Sequence, residues 1–257
     1  MSTVPLLRRR SLRLCLGAAL VSLLSVSVFA PETVAQTLTL DIGEPGGSTT
    51  ARLIQLVAAI TLLSLAPGIL VTVTSFTRLV IVFSLLRTAL GTQQSPPNLV
   101  IVSLALFLTG FIMAPTLEQA WEDGVAPLIA ERIDEFEAFE RAVAPFRTFM
   151  LAQVRDKDLQ LFEDIGQVGP AETGVNAPLK VLVPAFMISE LRRAFEIGFL
   201  LFIPFLIIDM VVASILMSMG MMMLPPVIIS LPFKLIFFVM VDGWYLIAGS
   251  LVESFGG

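Results

Sequence analysis

The sequence predicts an all-α, membrane-associated protein, and three observations support this fold class. Hydrophobic residues make up 56% of the 257 residues and charged residues only 14%, whereas soluble domains average about 45–50% and about 25%. Four apolar segments are each long enough for the ~20 residues of a spanning helix. Between them lies an acidic stretch with helical periodicity. We therefore expect about four long, broken apolar helices in hairpins, plus a small amphipathic helical insert, assembling into a helical ring.

The composition also narrows the function classes. Histidine is absent, and the single cysteine, Cys15, lies in the N-terminal segment. This removes the most frequent metal ligands, the most frequent general base and any disulfide framework. We expect no catalytic residue, no metal, no cofactor and no nucleic-acid partner.

Residues 1–35 have the pattern of a secretory signal peptide. A basic start precedes an uncharged run from Leu14 to Ala30, and Thr33-Val34-Ala35 supplies the small residues of a cleavage site. We expect cleavage between Ala35 and Gln36, with an uncleaved signal anchor as the alternative. Residues 36–50 then form a polar, flexible tether on the periplasmic side.

Residues 51–117 predict the first apolar hairpin. No charge occurs between residues 53 and 77, and Pro67-Gly68 within this run should kink or break the helix. Residues 92–98 form a turn, because the two prolines there cannot lie in a helix interior. The second apolar helix follows at 99–117.

Residues 118–178 predict an acidic amphipathic insert. They contain 13 acidic and 5 basic residues, with apolar residues at helical spacing. We expect two helices divided near Pro145 and a closing Gly/Pro loop at 166–178. An acidic segment favours the periplasmic side, since basic residues favour the cytoplasm.

Residues 179–257 predict a second apolar hairpin, which folds around a methionine-rich turn at 218–226. Five methionines fall within seven residues of this turn: Met217, Met219, Met221, Met222 and Met223. Gly220, Pro225 and Pro226 are the turn formers. Because methionine is unbranched and adaptable, the cluster suits a deformable apolar constriction; a flexible, gap-filling core patch is the alternative.

Charged residues interrupt the second hairpin, at Glu190, Arg192, Arg193, Glu196, Asp209, Lys234 and Asp242. Such groups normally face protein or water and have partners. The first four lie on one helix face and can pair locally, Glu190 with Arg193 and Arg192 with Glu196.

Asp209 has no such local partner. In an antiparallel hairpin about the 218–226 turn, it lies roughly 15 residues, or about 22 Å of helix, from the turn, against about 13 Å for Lys234 on the returning helix. This mismatch predicts that Asp209 pairs with another subunit, and hence that the protein is an oligomer.

Three blocks of sequence resemble the FliP family of type III secretion export-gate proteins. They are SFTRLVIVFSLLRTALGTQQSPPN at 75–98, PFRTFMLAQVRDKDLQLF at 145–162, and the stretch from VLVPAFMISEL to FFVMVDGW at 181–244. A related family in virulence-type injectisomes shares several of these blocks. The signal segment, SFTR and GTQQSPPN favour the flagellar branch.

The resemblance implies a ring of five copies in the bacterial inner membrane, within the flagellar basal body and with substantial periplasmic exposure. FliQ, FliR and FlhB would be its companion subunits. Unfolded rod, hook and filament subunits would be the cargo. Met221, Met222 and Met223 match the methionine gasket that seals such a pore.

Two alternatives remain besides the injectisome subunit. Intramembrane carboxylates (Asp209 and Glu190) and helices broken at Pro67 and Pro204 are also typical of an ion-coupled transporter. The mature chain has only four apolar segments and no visible inverted repeat, which argues against this. An intramembrane enzyme is disfavoured, because its serines would have no histidine partner.

Overall fold

The computed structural model describes residues 49–92, 94–169, 173–221 and 224–256. Within these ranges every long element is an α-helix, which confirms the predicted all-α class. The helices are α1 (Thr49–Val73), α2 (Phe76–Leu90), α3 (Asn98–Ile129), α4 (Glu135–Gln153), α5 (Asp156–Gly166), α6 (Leu179–Ser218), α7 (Pro226–Met240) and α8 (Gly243–Glu253).

The chain divides into two units, Met1–Ala58 and Ala59–Gly257. Of the first unit, only the start of α1 is described. The predicted signal peptide, with Ala35 and Gln36, and residues 36–48 of the predicted tether lie outside the described residues.

By length and composition, α3 and α6 can each cross a membrane. The helices α7 and α8 add a third span if this pair, bent by 62°, counts as one. Within α1 the apolar stretch Leu56–Leu65 is shorter than a span. The apolar helices are therefore those expected, although fewer than four meet the criteria for a span within the described ranges.

The sequence predicted a kink or a break at Pro67-Gly68, and the first helix does not break there. It continues through Pro67-Gly68 and ends at Val73, as prolines are tolerated in apolar helices whose neighbours satisfy the freed backbone groups. At the end of the helix, the hydroxyls of Thr74 and Thr77 donate to the carbonyls of Leu70 and Val71, at 2.7 and 2.9 Å. These bonds satisfy acceptors that a helix end leaves open.

The helix α3 is longer than the predicted apolar segment 99–117. It begins after the turn at Pro97 and runs through a π-helical turn at Trp121–Val125 to Ile129. The acidic residues after 118 therefore extend a membrane-capable helix, and the insert proper begins with α4.

Pro145 does not divide the insert. It lies buried inside α4, and the division comes at Val154 and Arg155, whose backbones are extended. The start of α4 is capped by Asp134, which accepts a hydrogen bond of 2.8 Å from the backbone N–H of Glu137. This is an N-terminal capping arrangement.

Two clusters of buried apolar side chains hold unit 2 together. The larger one joins α2, α3, α6, α7 and α8, with Leu79, Phe83 and Phe205 among its members. The second joins α4, α5 and the first turns of α6 around Met150 and Phe186. The helix α6 is therefore common to both clusters and connects the apolar hairpins to the insert.

We expect Gly124→Ala to destabilise the junction between α3 and α4. A Cβ at Gly124 would lie 2.7 Å from the Ala142 Cβ and 2.8 Å from the Ala138 carbonyl oxygen, and this backbone cannot move aside as a flexible side chain can. Overpacking of this kind costs about 1–3 kcal/mol. Thermal unfolding of the purified protein in detergent measures the effect. The control is Gly110→Ala in the same helix, where a Cβ meets nothing within 4 Å; equal losses in both variants would contradict the expectation.

Candidate functional site

The turn between α6 and α7 is built by one glycine and two prolines. Gly220 has φ 75°, a left-handed conformation that residues with a Cβ adopt at a cost. The N–H groups of Gly220 and Met221 donate to the carbonyls of Met217 and Leu216, at 3.1 and 3.0 Å. This pair of bonds is a Schellman motif, which ends α6 and satisfies its last acceptors. After Pro225, the helix α7 begins at Pro226, in the first position of the helix.

The methionines of this turn are mostly not in the core. Met217 and Met219 are 60% and 65% exposed, and Met221 is half-buried. Met222 and Met223 lie outside the described residues. Exposed apolar side chains also follow the turn, at Leu224, Val227 and Ile228. The exposure of the described methionines therefore favours a contact surface over the alternative of a gap-filling core patch.

Below the turn, Asp209 pairs with Lys234 of the same chain, which overturns the prediction of a partner in another subunit. The Lys234 Nζ donates to the Asp209 Oδ2 at 2.6 Å and to the Ala89 carbonyl oxygen at 3.2 Å. The Ser230 hydroxyl donates to the Asp209 Oδ1 at 2.5 Å. The lysine side chain is 5% exposed and the aspartate side chain 29%, so the ion pair is largely shielded from solvent.

The prediction was wrong because it counted turn residues as helix: about 22 Å from Asp209 and about 13 Å from Lys234 both reach roughly residues 224–225, well beyond the end of α6 at Ser218. The helix α6 ends at Ser218, nine residues after Asp209, and α7 starts at Pro226, eight residues before Lys234. These separations correspond to about 14 Å and about 12 Å of helical rise. The two charges therefore lie at nearly the same level of the hairpin.

A second buried ion pair joins α2 to α6 and involves a residue that the sequence analysis did not select. Arg78 forms two hydrogen bonds with the carboxylate of Glu190, at 2.8 and 2.5 Å. The two side chains are 1% and 0% exposed. Glu190 therefore does not form the local pair with Arg193 that its spacing allowed.

The other donors of Arg78 connect it to two further elements. It donates to the Gln153 Oε1 at 3.0 Å and to the Ser254 Oγ at 2.9 Å. Its guanidinium carbon lies 3.6 Å from the centre of the Phe255 ring. Arg193 also donates to the Gln153 Oε1, at 2.8 Å. The ends of α4 and of the chain are thus attached to the same buried guanidinium.

The signal for this site was an arginine near the start of the largely apolar helix α2, since such a charge needs a partner. The sequence could not show that the partner lies 112 residues away.

The pair Arg192–Glu196 is present, at 2.8 Å, as its i,i+4 spacing predicted. Both side chains are more than half exposed. Exposed pairs of this kind contribute little to stability, so this pair leaves both side chains accessible to a partner.

A third polar cluster attaches the insert to α6. Arg155 donates to both carboxylate oxygens of Asp158, and the hydroxyl of the buried Ser189 donates to the Asp158 Oδ2 at 2.6 Å. Burial by itself raises the pKa of the Asp158 carboxyl, but the hydrogen bonds from Ser189 and Arg155 together hold its pKa below the ordinary value. Asp158 is therefore charged throughout the physiological pH range.

Asp242 lies at the bend between α7 and α8. Its backbone is left-handed, with φ 52° and ψ 51°, and its side chain is exposed and makes no capping hydrogen bond. Of the charges predicted in the second hairpin, Asp242 is the one whose carboxylate has no hydrogen bond or ion pair within the described ranges.

No metal site emerges from the described ranges. They contain no group of three or more histidine, cysteine, aspartate or glutamate side chains close enough to hold an ion.

An apolar groove of about 580 Å³ lies between α6, α7 and α8.

Comparison with known proteins gives consistent matches. The model of the FliP family matches residues 59–251. The flagellar biosynthetic protein FliP of Caulobacter vibrioides is 55% identical over 249 residues, which cover 97% of this chain and 92% of the relative. The FliP proteins of Agrobacterium fabrum and Bacillus subtilis are also 55% identical, over 81% and 79% of this chain and 86% and 91% of their own lengths.

Proposed function

The chain belongs to the FliP family, and from this premise we propose that it forms the pore of the flagellar type III export gate. In this function, unfolded rod, hook and filament subunits cross the inner membrane through a ring of about five copies. The observation that carries the proposal is the match to flagellar FliP proteins over nearly the whole chain. The membrane-capable helices support a location in the inner membrane.

The geometry of the α6–α7 hairpin supports a role at a constriction. Its two helices are joined at one level by the Asp209–Lys234 ion pair, and backbone hydrogen bonds close the start of its turn. The hairpin therefore presents apolar methionines from a defined support. Repeated around a ring, the turns would form a narrow apolar gasket of Met221, Met222 and Met223.

Companion subunits are part of the proposal. FliQ, FliR and FlhB would complete the gate, with the acidic insert on the periplasmic side. The exposed apolar surface of α6, α7 and α8, including Phe199, Val239 and Met240, supports extensive contact with lipid or with other chains.

The alternatives have lost support. The transporter hypothesis relied on helices broken at Pro67 and Pro204 and on the carboxylates of Asp209 and Glu190. The helices α1 and α6 continue through these prolines, and both carboxylates form ion pairs within the chain. The injectisome subunit remains the second candidate. The flagellar names of the relatives favour the flagellar apparatus.

We expect Met221, Met222 and Met223 changed together to Ala to leave the assembly intact but to make the membrane leak ions. An apolar constriction blocks ions because they would shed water without compensating ligands, and each shortened side chain widens it. If the same three methionines are changed to Ile, the constriction should still exclude ions. Export should be slower, because β-branched side chains are stiff at χ1. Ion flux per assembled complex and secretion of hook and filament subunits are measured in a strain that lacks the native gene.

The matched control is Met210→Ala, a methionine of the same hairpin that is 64% exposed but lies away from the turn. This control should neither leak nor lose secretion. An assembled Ala variant as ion-tight as the unmodified protein would refute the gasket. If the unmodified gene failed to restore secretion of flagellar subunits, the export function itself would be wrong.

A further inference from the structure

The two residues that follow α8 attach the far end of this helix to the buried Arg78. The Arg78 Nη1 donates to the Ser254 Oγ at 2.9 Å and to the Ser254 carbonyl oxygen at 3.4 Å. The Phe255 ring covers one face of the guanidinium, whose carbon lies 3.6 Å from the ring centre. The same ring stacks on Phe149 of α4, with the ring centres 6.0 Å apart. We call Ser254 and Phe255 together the clasp of α8.

The clasp uses the hydrogen-bond donors of Arg78 that its other partners leave over. A guanidinium has five N–H donors. Two of them bond to the carboxylate of Glu190 and one to Gln153, and the remaining two bond to Ser254. Opening of the clasp would therefore leave the ion pair between α2 and α6 intact.

The other end of α8 begins at a hinge. The helices α7 and α8 meet at a bend of 62°, where the backbone of Asp242 is left-handed, with φ 52° and ψ 51°. A short junction between two helices can absorb a change of backbone dihedrals without disrupting either helix. In the first turn of α8, Trp244 packs on Phe238 and Phe83, at 5.4 and 6.4 Å between ring centres. This end of α8 is therefore held by apolar packing.

Between its two ends, α8 largely faces a groove. Within the described ranges, its buried residues are Gly243 and Leu251, one near each end. Leu246, Ile247 and Ser250 instead line the apolar groove of about 580 Å³ beside α6. The groove leaves space for the helix to move, and a segment with few buried contacts opens at a low cost in free energy.

From these features we propose that α8 is a hinged strap, whose far end alternates between a state clasped to Arg78 and a released state. Release would turn α8 about residues 241–242 and uncover Leu251. It would also open the end of the groove that Ser254 lines. The ion pair of Arg78 would stay closed, so that the strap moves while the core keeps its structure. The inference concerns contacts within one chain and does not depend on the proposed export function.

The test is the reactivity of a cysteine at position 251, because Leu251 is 1% exposed in the clasped state. Leu251→Cys is made together with Cys15→Ser, the full-length protein is purified in detergent, and its rate of alkylation by N-ethylmaleimide is measured. Leu86→Cys reports on opening of the whole core, since Leu86 in α2 is 0% exposed. With the clasp unmodified, we expect Leu251→Cys to react slowly, but faster than Leu86→Cys.

Ser254→Ala with Phe255→Leu removes the hydroxyl and the ring of the clasp. This change should speed the alkylation of Leu251→Cys at least about tenfold, because a hydrogen bond to a charged group and a cation–π contact are lost. Leu86→Cys should stay as protected as before. The matched control is Ser254→Thr with Phe255→Tyr, which keeps both the hydroxyl and the ring and should leave the rate at position 251 unchanged.

Three results would overturn the inference. Equal rates for Leu251→Cys and Leu86→Cys with the unmodified clasp would show that α8 has no released state of its own. Faster alkylation at both positions after loss of the hydroxyl and the ring would show that the clasp stabilises the whole fold rather than a local strap. An unchanged rate at position 251, or an equal rise in the Thr and Tyr control, would show that these contacts do not hold α8.

Discussion

Replacing Arg78 by Met is expected to produce a large loss of stability. The substitution leaves the fully buried carboxylate of Glu190 without its counter-charge, which costs about 3–5 kcal/mol. Gln153 and Ser254 lose a donor at the same time. Since whole domains are stable by only about 5–15 kcal/mol, we expect little folded protein in the membrane. The steady-state amount and the thermal unfolding midpoint in detergent are the measurements.

The control is Arg87→Met in the same helix. Arg87 donates at 2.6 Å to the exposed side chain of Asn98, and its loss should cost no more than about 1 kcal/mol. Arg78→Lys should recover only part of the stability, because an ammonium cannot reproduce the two parallel bonds of a guanidinium. The double variant Arg78→Met with Glu190→Gln, which removes both charges, should be more stable than Arg78→Met alone. Equal stability of Arg78→Met and Arg87→Met would show that the buried Arg78–Glu190 pair contributes no more to stability than the exposed contact of Arg87.

Asp209→Leu is expected to destabilise the α6–α7 hairpin of the single chain. Lys234 is 5% exposed, so its charge would stay buried with only the Ala89 carbonyl and no carboxylate, again at a cost of about 3–5 kcal/mol. Ser230 would also lose its acceptor. The expected result is a lower unfolding midpoint and, because the turn loses its support, a loss of secretion.

The combination Asp209→Leu with Lys234→Met separates a local role from a role between subunits. Replacing a buried pair by apolar residues of similar size is often neutral or stabilising, so the double variant should regain most of the stability. The exposed pair provides the comparison: Arg192→Met with Glu196→Leu should change stability by less than about 1 kcal/mol. If Asp209→Leu had normal stability but lost the assembled complex, this would instead support the prediction that Asp209 pairs with another subunit.

Several features of this protein were readable from the sequence because their causes lie within a few residues. The turn at 218–226 follows from Gly220 and from two adjacent prolines, and the structure has the helix end and the helix start there. The pair Arg192–Glu196 follows from one turn of helix. The all-α class follows from composition and periodicity, which no distant contact alters.

The helix breaks predicted at prolines are absent for a physical reason. Pro67, Pro145 and Pro204 each remove one backbone hydrogen bond, but they lie inside continuous helices. The long apolar or packed helices around them compensate for that single loss. The helices end instead at residues 74–75, 154–155 and 241–242. At Arg155 and Asp242 the backbone leaves the helical region, and at Thr74 the side-chain hydroxyl satisfies a carbonyl acceptor of the helix end.

By itself, the sequence determined the class of protein, the apolar helices, the methionine-rich turn and the family resemblance. Only the tertiary structure decided which charges meet. Arg78 reaches Glu190, Gln153 and Ser254 because α2, α4, α6 and the end of the chain converge on one point. Asp209 meets Lys234 because two helices end at nearly equal distances from them. Among the described residues, the same packing gives Asp242 no partner. Such pairings depend on where whole helices lie, and helix packing is set by the summed burial of many apolar side chains rather than by the residues beside each charge.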